Sequence, residues 1–186
     1  MAANIDFFAD PGRLWRPSQI MSRPQEIPCR KGIYGWYFDA TLTAVPNDGC
    51  TSVEGFMFLY VGIAGRDPSS PRTLRERIID CHLEGTATVS TLRCSLGCLL
   101  TKEVSIQLLP AGEKSFSFGR GECKLSRWML EHARVAWQAD AKPWGLEIPI
   151  LRRYSLPLNL KHNTGHPFYR DLKRLRKRCR DRARPS

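Results

Sequence analysis

The sequence predicts a mixed α/β (α+β) domain built on a small three-stranded antiparallel sheet flanked by helices. Two segments, Gly32–Phe38 and Glu54–Val61, are rich in the aromatic and β-branched residues that favour strands. Turn-forming residues lie between them at 46–49, so we expect an antiparallel hairpin with a long loop. A third strand is predicted at Arg134–Ala139, where residues alternate in character. Hydrophobic residues make up 42% of the chain, which is sufficient for a core.

Residues 1–30, which precede the first strand, are expected to form an ordered arm packed on the core. Their pattern is irregular and includes four prolines. Large apolar side chains in this segment favour burial, namely Phe7, Phe8, Trp15 and Ile20.

Two helices are predicted after the hairpin. Thr73 and Glu76 have the spacing of a capping box, which opens a helix that extends to about Leu83. A second helix begins at Ser90 and carries leucines at helical spacing over 92–100.

The remaining elements of the main domain are short. We expect a strand within residues 102–109, a loop over 111–124 and a helix at Ser126–His132. A last helix is predicted at Gly145–Tyr154, ended by Pro157. The main domain is therefore assigned to residues 31–160.

The positive charge is concentrated at the C-terminus. The chain has 29 Lys and Arg against 18 Asp and Glu, a formal net charge of +11. Residues 161–186 carry ten of these cations and only two of the acids, so they form a basic tail beside a nearly balanced main domain. Leu172, Leu175 and Cys179 give the tail a thin apolar stripe, which indicates a helix. Such a charge distribution predicts an anionic partner, with nucleic acid the first candidate.

Membrane insertion and export are not expected. The longest apolar runs, such as Phe56–Ile63, are far shorter than the ~20 residues needed to cross a bilayer. The N-terminus has no basic segment of the kind that begins a signal peptide. We therefore expect a cytoplasmic, nucleoid-associated protein whose seven cysteines stay reduced and serve mainly as small buried side chains.

Five elements, in order along residues 31–160, resemble the signature of the GIY-YIG nucleases. Gly32-Ile-Tyr34 and Tyr60-Val-Gly62 resemble the two signature strands of that family. Arg77 follows at the start of a helix, where the family places its catalytic arginine. Glu147 lies near the start of a late helix, as the family's metal-binding glutamate does, and Asn159 follows it as the family's asparagine does. Each element alone is weak evidence for the family, whereas the complete set in this order is strong evidence.

The resemblance implies a role for each of these residues in phosphodiester hydrolysis. Glu147 would hold one Mg²⁺ (or Mn²⁺), a hard cation that takes few protein oxygens. Arg77 would bind the scissile phosphate through its planar fork of donors. Tyr34 would assist or perform deprotonation of the attacking water, Tyr60 would orient the water or phosphate, and Asn159 would hold the site together.

The two signature glycines, Gly32 and Gly62, are expected to permit close approach between the strand ends and the substrate. The chain departs from the family at Cys81, where many members have His or Tyr four residues after the arginine. His82 follows one residue later, about 100° further round a helix. It is expected either to act as a base or phosphate donor or to lie on an exposed face, so the general base stays open.

Other cations are candidates for contact with the nucleic-acid backbone. Two of them, Arg75 and Arg93, belong to the predicted helices, and each has the alternative of a plain helix-surface arginine. The tail supplies four more: Lys173, Arg174, Lys177 and Arg178.

The resulting hypothesis is a metal-dependent endonuclease that acts on DNA. Ser90–Arg93 and Asn163–Phe168 further resemble a bacterial subgroup of the family, which indicates the family and not the target. The alternatives are a non-catalytic nucleic-acid-binding module with a degenerate nuclease fold, and RNA-directed binding or cleavage. The sequence leaves the oligomeric state open, a homodimer included.

Overall fold

The computed structural model describes residues 4–184 and has a four-stranded antiparallel sheet at its centre. Its strands are β1 (Gly32–Phe38), β2 (Ser52–Val53), β3 (Phe56–Ala64) and β6 (Ala133–Ala139), in the order β2-β3-β1-β6. The three predicted strands are therefore present, and the two-residue β2 adds a fourth at one edge. All seven residues of the central strand β1 are buried, since elements cover both faces of the sheet.

The pairing of β1 with β3 aligns the two signature strands. Tyr34 lies opposite Gly62, and Trp36 lies opposite Tyr60. Directly opposed residues of antiparallel strands project from the same face, so Tyr34, Trp36 and Tyr60 share one side of the sheet. The register shifts between Trp36 and Tyr37, after which Tyr37 pairs with Phe58.

The helices flank this sheet. They are α1 (Pro17–Ser22), a π-helix (Glu76–Leu83), α2 (Thr91–Leu99), α3 (Gly121–His132), α4 (Glu147–Arg153) and α5 (Tyr169–Ala183), with short 3₁₀ turns at Ile5–Ala9, Pro24–Glu26 and Pro143–Gly145. A separate pair of two-residue strands comprises β4 (Leu109–Pro110) and β5 (Phe116–Ser117).

Two segments differ from the prediction. The strand expected within residues 102–109 is wrong except at its end, because residues 101–105 form turns and only Leu109 belongs to a strand. Ser105 has a left-handed backbone (φ 50°), which interrupts extended structure, while Ile106 and Leu108 are buried and produce the alternating pattern. The loop expected over 111–124 includes β5 and the first turn of α3.

The N-terminal segment before β1 packs on the core. Phe8 and Ile20 are fully buried, and Phe8 stacks on Phe58 with ring centroids 4.9 Å apart. Trp15 exchanges two backbone hydrogen bonds with Val135, at 2.9 and 3.0 Å, along the outer edge of β6. The arm therefore protects an edge of the sheet.

The basic segment forms α5, which is docked on the core. Leu172, Cys179 and Ala183 are buried, and α5 packs on α2. Within residues 4–184, no group of three or more His, Cys, Asp or Glu side chains is arranged to hold a metal ion. No helix in the same part of the chain is long and apolar enough to cross a membrane.

Candidate active site

A cavity of about 380 Å³ brings together the five residues that define the family resemblance. Its lining includes Tyr34, Tyr60, Arg77, Glu147 and Asn159. These residues come from two strands, the first turn of two helices and the irregular segment after α4. Residues up to 125 positions apart in the sequence thus face one space, which is the default location for a functional site.

Gly62 leaves room for the ring of Tyr34. A Cβ atom at Gly62 would overlap the hydroxyl and ring of Tyr34, which is fully buried. A Cβ atom at Gly32 would overlap the carbonyl of Gln138 and the side chain of Leu74. Gly62 does line the cavity, but both glycines are required by packing within the protein, which was not expected from the sequence.

His82 lies behind Tyr34 and away from the cavity. Its side chain is fully buried, so the expected exposed face is wrong, and direct contact with a phosphate is excluded in this structure. Its Nε2 is 2.7 Å from the hydroxyl of Tyr34, and its Nδ1 is 2.7 Å from Oγ of Ser90. His82 therefore contacts the candidate site through Tyr34.

The hydrogen bonds of Ser90 hold the ring of His82 in place. Ser90 Oγ accepts the backbone N–H of Arg93 at 3.1 Å, as the N-cap of α2. The same oxygen is 2.7 Å from His82 Nδ1, and either tautomer of His82 satisfies this contact because a hydroxyl can both donate and accept. In the tautomer with the proton on Nε2, Nε2–H donates to the Tyr34 oxygen.

The surroundings of His82 keep it neutral. Burial, together with the charges of Arg77 and Arg93, holds the pKa of His82 well below its usual range. A neutral His82 is a poor acceptor for the Tyr34 proton, because the product would be a buried cation beside two arginines. It is instead a suitable donor to a Tyr34 phenolate.

The π-helix explains why His82 reaches this position. In an α-helix, residues 77 and 82 would lie roughly 140° apart. The π-helix has wider turns with i→i+5 hydrogen bonds, such as that from Glu84 N–H to the Ile79 carbonyl at 2.9 Å. The wider turn brings His82 towards the face that carries Arg77. The spacing of five residues between Arg77 and His82, in place of the family's common spacing of four, is accommodated in this way.

Arg77 and Tyr60 complete the electrostatics around Tyr34. Burial raises the pKa of Tyr34, as does the nearby Tyr60, whereas Arg77 lowers it by its charge and by a hydrogen bond. Burial likewise raises the pKa of Tyr60, with opposing effects from Thr91 and Arg77. Burial dominates in both cases, so both hydroxyls are protonated at neutral pH.

Asn159 fixes the free edge of β3. Its Oδ1 accepts the backbone N–H of Val61 at 2.9 Å, and its Nδ2 donates to the Val61 carbonyl at 2.8 Å. The next residue back, Leu158, donates its backbone N–H to the carbonyl of Leu59. Asn159 therefore sets the positions of Tyr60 and Gly62, the neighbours of Val61, by satisfying both of its backbone groups.

Glu147 offers a carboxylate suited to a divalent metal. It is partly exposed at the start of α4 and lines the cavity, and it forms no hydrogen bond or ion pair with any other residue in 4–184. One carboxylate beside open space fits a cation such as Mg²⁺, which keeps several waters and is commonly completed by a substrate phosphate. The donor set is therefore compatible with a single ion.

Comparison with known families agrees with this geometry. Residues 32–178 match the family described as the GIY-YIG catalytic domain. The chain belongs to the GIY-YIG family. The match covers most of the chain and extends into α5, so the family region includes much of the basic segment. Searches of curated proteins and of solved structures gave no match.

In this GIY-YIG domain, Arg93 has a role other than the expected phosphate contact. It is fully buried and forms a 2.7 Å ion pair with Glu122 of α3. It also donates to the carbonyls of His82 and Leu83, at the end of the π-helix. Arg93 therefore holds the π-helix against α3 and has no surface for DNA, which corrects the expectation from the sequence.

Arg75 also lies outside the cavity of the GIY-YIG site. Its Nε donates to the carbonyl of Ile27 at 3.0 Å, so it joins the N-terminal arm to the π-helix. It is half-buried, which distinguishes it from Arg93.

The structure adds cations that were not predicted as site residues. Arg66, Lys161 and Arg176 line the cavity with the five family residues. Arg66 lies two residues after the end of β3, and its proximity in sequence to Tyr60-Val-Gly62 was the available signal. Arg176 is one of many cations in α5, and only the packing of that helix distinguishes it.

Proposed function

We propose that this GIY-YIG protein is a divalent-metal-dependent endonuclease that hydrolyses DNA phosphodiester bonds. One observation carries the proposal, the convergence of Tyr34, Tyr60, Arg77, Glu147 and Asn159 on one cavity. A purely structural role for each residue, such as a tyrosine of the sheet or a solvated glutamate, does not explain why all five side chains line the same cavity.

The reaction requires a water oxygen to attack phosphorus in line with the leaving oxygen. The new P–O bond forms as the bond to the leaving oxygen breaks, which yields a phosphate monoester and an alkoxide that takes a proton from solvent water to become a hydroxyl. Arg77 binds a non-bridging oxygen of the phosphate and absorbs its developing charge. Tyr60 lies beside it and positions the water or the phosphate.

Tyr34 is the proposed proton acceptor. Its oxygen lies 2.7 Å from His82 Nε2 and beside Arg77, so with the proton of His82 on Nε2 two donors stabilise the phenolate form. The phenolate takes a proton from the water at its Oη atom as the water attacks. His82 supports this step by donating a hydrogen bond and does not itself take the proton.

Glu147 would hold the metal. A divalent cation bound there supplies positive charge to the phosphate and to the leaving oxygen. Glu147 and Tyr34 approach the cavity from different elements, α4 and β1, so the protein can place the base and the cation around one phosphate.

Substitution of Glu147 tests the proposal. Purified protein is incubated with Mg²⁺ or Mn²⁺ and a panel of supercoiled, linear, branched and single-stranded DNAs. We expect the wild type to cut at least one of them, with nicks preceding double-strand breaks because one site cuts one strand. Glu147→Ala should reduce cutting at least about 100-fold while DNA binding persists. Glu113→Ala removes an exposed acid outside the cavity and is the matched control.

Two results would contradict the proposal. Unchanged nicking by Glu147→Ala would exclude Glu147 from the reaction. Wild-type protein that shifts DNA without cutting any substrate would indicate a binding module, and cutting confined to an RNA panel would indicate an RNA-directed enzyme.

A further inference from the structure

The cavity of the active site continues into a groove along α5. A second cavity of about 320 Å³ shares Leu160, Lys161 and Arg176 with the active-site cavity. The rest of its lining comes from α5, namely Tyr169, Lys173 and Arg180. We call the surface formed by Lys161, Tyr169, Lys173, Arg176 and Arg180 the α5 groove.

The α5 groove carries four cations and no carboxylate among the described residues that line its second cavity. In contrast, the outward face of α5 is partly neutralised. Arg174 lies 3.9 Å from Asp171, and Lys177 lies 2.6 Å from Asp181. The four cations of the groove, by contrast, form no ion pair with any other residue in 4–184.

Helical geometry separates the groove from the other flank. At about 100° per residue, Tyr169, Lys173, Arg176 and Arg180 fall within an arc of roughly 60°. Arg178 and Arg182 lie across the buried stripe of Leu172 and Cys179, and neither lines the groove. One helix thus presents two cationic flanks, of which only one is continuous with the site.

Arg176 lies where the two cavities meet. Among the described residues its buried Nε has no hydrogen-bond partner, and its guanidinium otherwise makes a long 3.4 Å contact from Nη1 to Ser95 Oγ and a contact with the Cys94 thiol. A buried guanidinium N–H without an acceptor is costly unless a ligand supplies one. The oxygen of a phosphate entering from the active site is the acceptor that this position fits.

We propose that the α5 groove holds the phosphodiester backbone of the DNA strand that leaves the active site, with Arg176 on the phosphate next to the scissile one. The inference rests on the proposed function and specifies its substrate-binding surface. It reassigns the contacts expected from the sequence, since Lys173 stays in the binding surface and Arg178 is placed outside it. The groove contacts the charged phosphates and not the bases, so it contributes affinity without sequence specificity.

Two double variants of equal charge test the groove. Lys173→Gln/Arg180→Gln removes two groove cations, and Arg178→Gln/Arg182→Gln removes two from the opposite flank. Binding to a fluorescent 20-base-pair duplex is measured in EDTA at several salt concentrations. We expect the groove variant to bind at least tenfold more weakly and to lose nearly two units from the slope of log K against log salt. The opposite-flank variant should lose less than twofold in affinity.

Arg176→Gln tests the end of the α5 groove nearest the active-site cavity. Single-turnover cleavage with saturating protein should slow at least tenfold, whereas Arg182→Gln should cleave at the wild-type rate. Thermal melting of each variant checks that folding is intact.

The outcomes separate the groove from the nuclease proposal. Equal losses in the two double variants, from a wild type that cuts DNA, would overturn the groove and leave the nuclease proposal standing. A groove-specific loss in a protein that never cuts would support the groove and contradict the nuclease. Absence of DNA binding by the wild type would overturn both.

Discussion

At the residue scale, the proposed chemistry depends on a tyrosine whose surroundings oppose its ionisation. Burial raises the pKa of Tyr34, whereas Arg77 lowers it. A phenolate that forms in these surroundings is a strong base, because the same burial that hinders ionisation increases its affinity for a proton. The proposed mechanism therefore predicts that the cleavage rate depends on the orientation of His82, which Ser90 holds.

We predict that Ser90→Ala slows cleavage by about 10- to 100-fold, since His82 loses the hydrogen-bond partner that holds its ring. The N-cap of α2 is lost as well, which should cost about 1 kcal/mol of stability. Ser90→Thr keeps the hydroxyl and should retain both properties. Single-turnover rates and urea unfolding of the two variants provide the comparison. Wild-type cleavage by a folded Ser90→Ala would show that Ser90 has no positioning role.

At the element scale, the π-helix is held by a buried ion pair. The carboxylate of Glu122 accepts from Arg93 and from the backbone N–H groups of Ala87 and Phe118, so its oxygens are satisfied. The pair joins the start of α2 to the start of α3, while Arg93 also binds the carbonyl of His82. The position of His82 thus depends on two neighbouring helices.

We predict that Arg93→Met destabilises the protein by about 3–5 kcal/mol, because Glu122 would stay buried without its counter-charge. The double variant Arg93→Met/Glu122→Leu should regain part of that loss. Urea unfolding measures both. A loss below about 1 kcal/mol in Arg93→Met, combined with weaker DNA binding, would instead favour the phosphate contact expected from the sequence.

The sequence predicts elements whose signals are local. The aromatic segment Gly32–Phe38 and the capping box at Thr73 are read from neighbouring residues, and both elements form, although the helix after Thr73 is of the π type. The same local signals also identify the family. The role of Arg93 depends on Glu122, 29 residues away, and no local pattern predicts that contact.

The five family residues that line the cavity were named from the sequence, whereas the buried position of His82 and the cavity cation Arg176 were not. Tyr34, Arg77 and Glu147 belong to a known signature, so their positions follow from the family. His82 depends on a π-helix that an α-helical projection cannot represent, and Arg176 depends on how α5 docks. Both are products of packing between elements.

At the scale of the whole molecule, the basic segment is structural as well as charged. Leu172 and Cys179 bury one stripe of α5 against the core, and Arg176 reaches the active-site cavity from the edge of that stripe. A near-neutral main domain and a strongly basic helix are thus parts of one packed unit. Removing α5 would therefore remove packing contacts with the core as well as positive charge.

We predict that a chain truncated after residue 160 is less stable than the full chain, because the apolar face of α2 would be exposed to water. Its thermal midpoint should fall by several degrees, and amides of α2 should exchange faster. The Arg178→Gln/Arg182→Gln variant keeps the packing and should melt near the wild type. Equal melting of the truncated and full chains would show that α5 is only an appended tail.

The most direct test of the central claim is the pH dependence of single-turnover cleavage by wild type and Tyr34→Phe. The pKa of Tyr34 is raised, so the phenolate fraction grows tenfold per pH unit, and the wild-type rate should rise with pH from 7 to 9. Tyr34→Phe should be about 10²- to 10⁴-fold slower and lack that rise. Cleavage by Tyr34→Phe at the wild-type rate, with the same pH profile, would contradict the account.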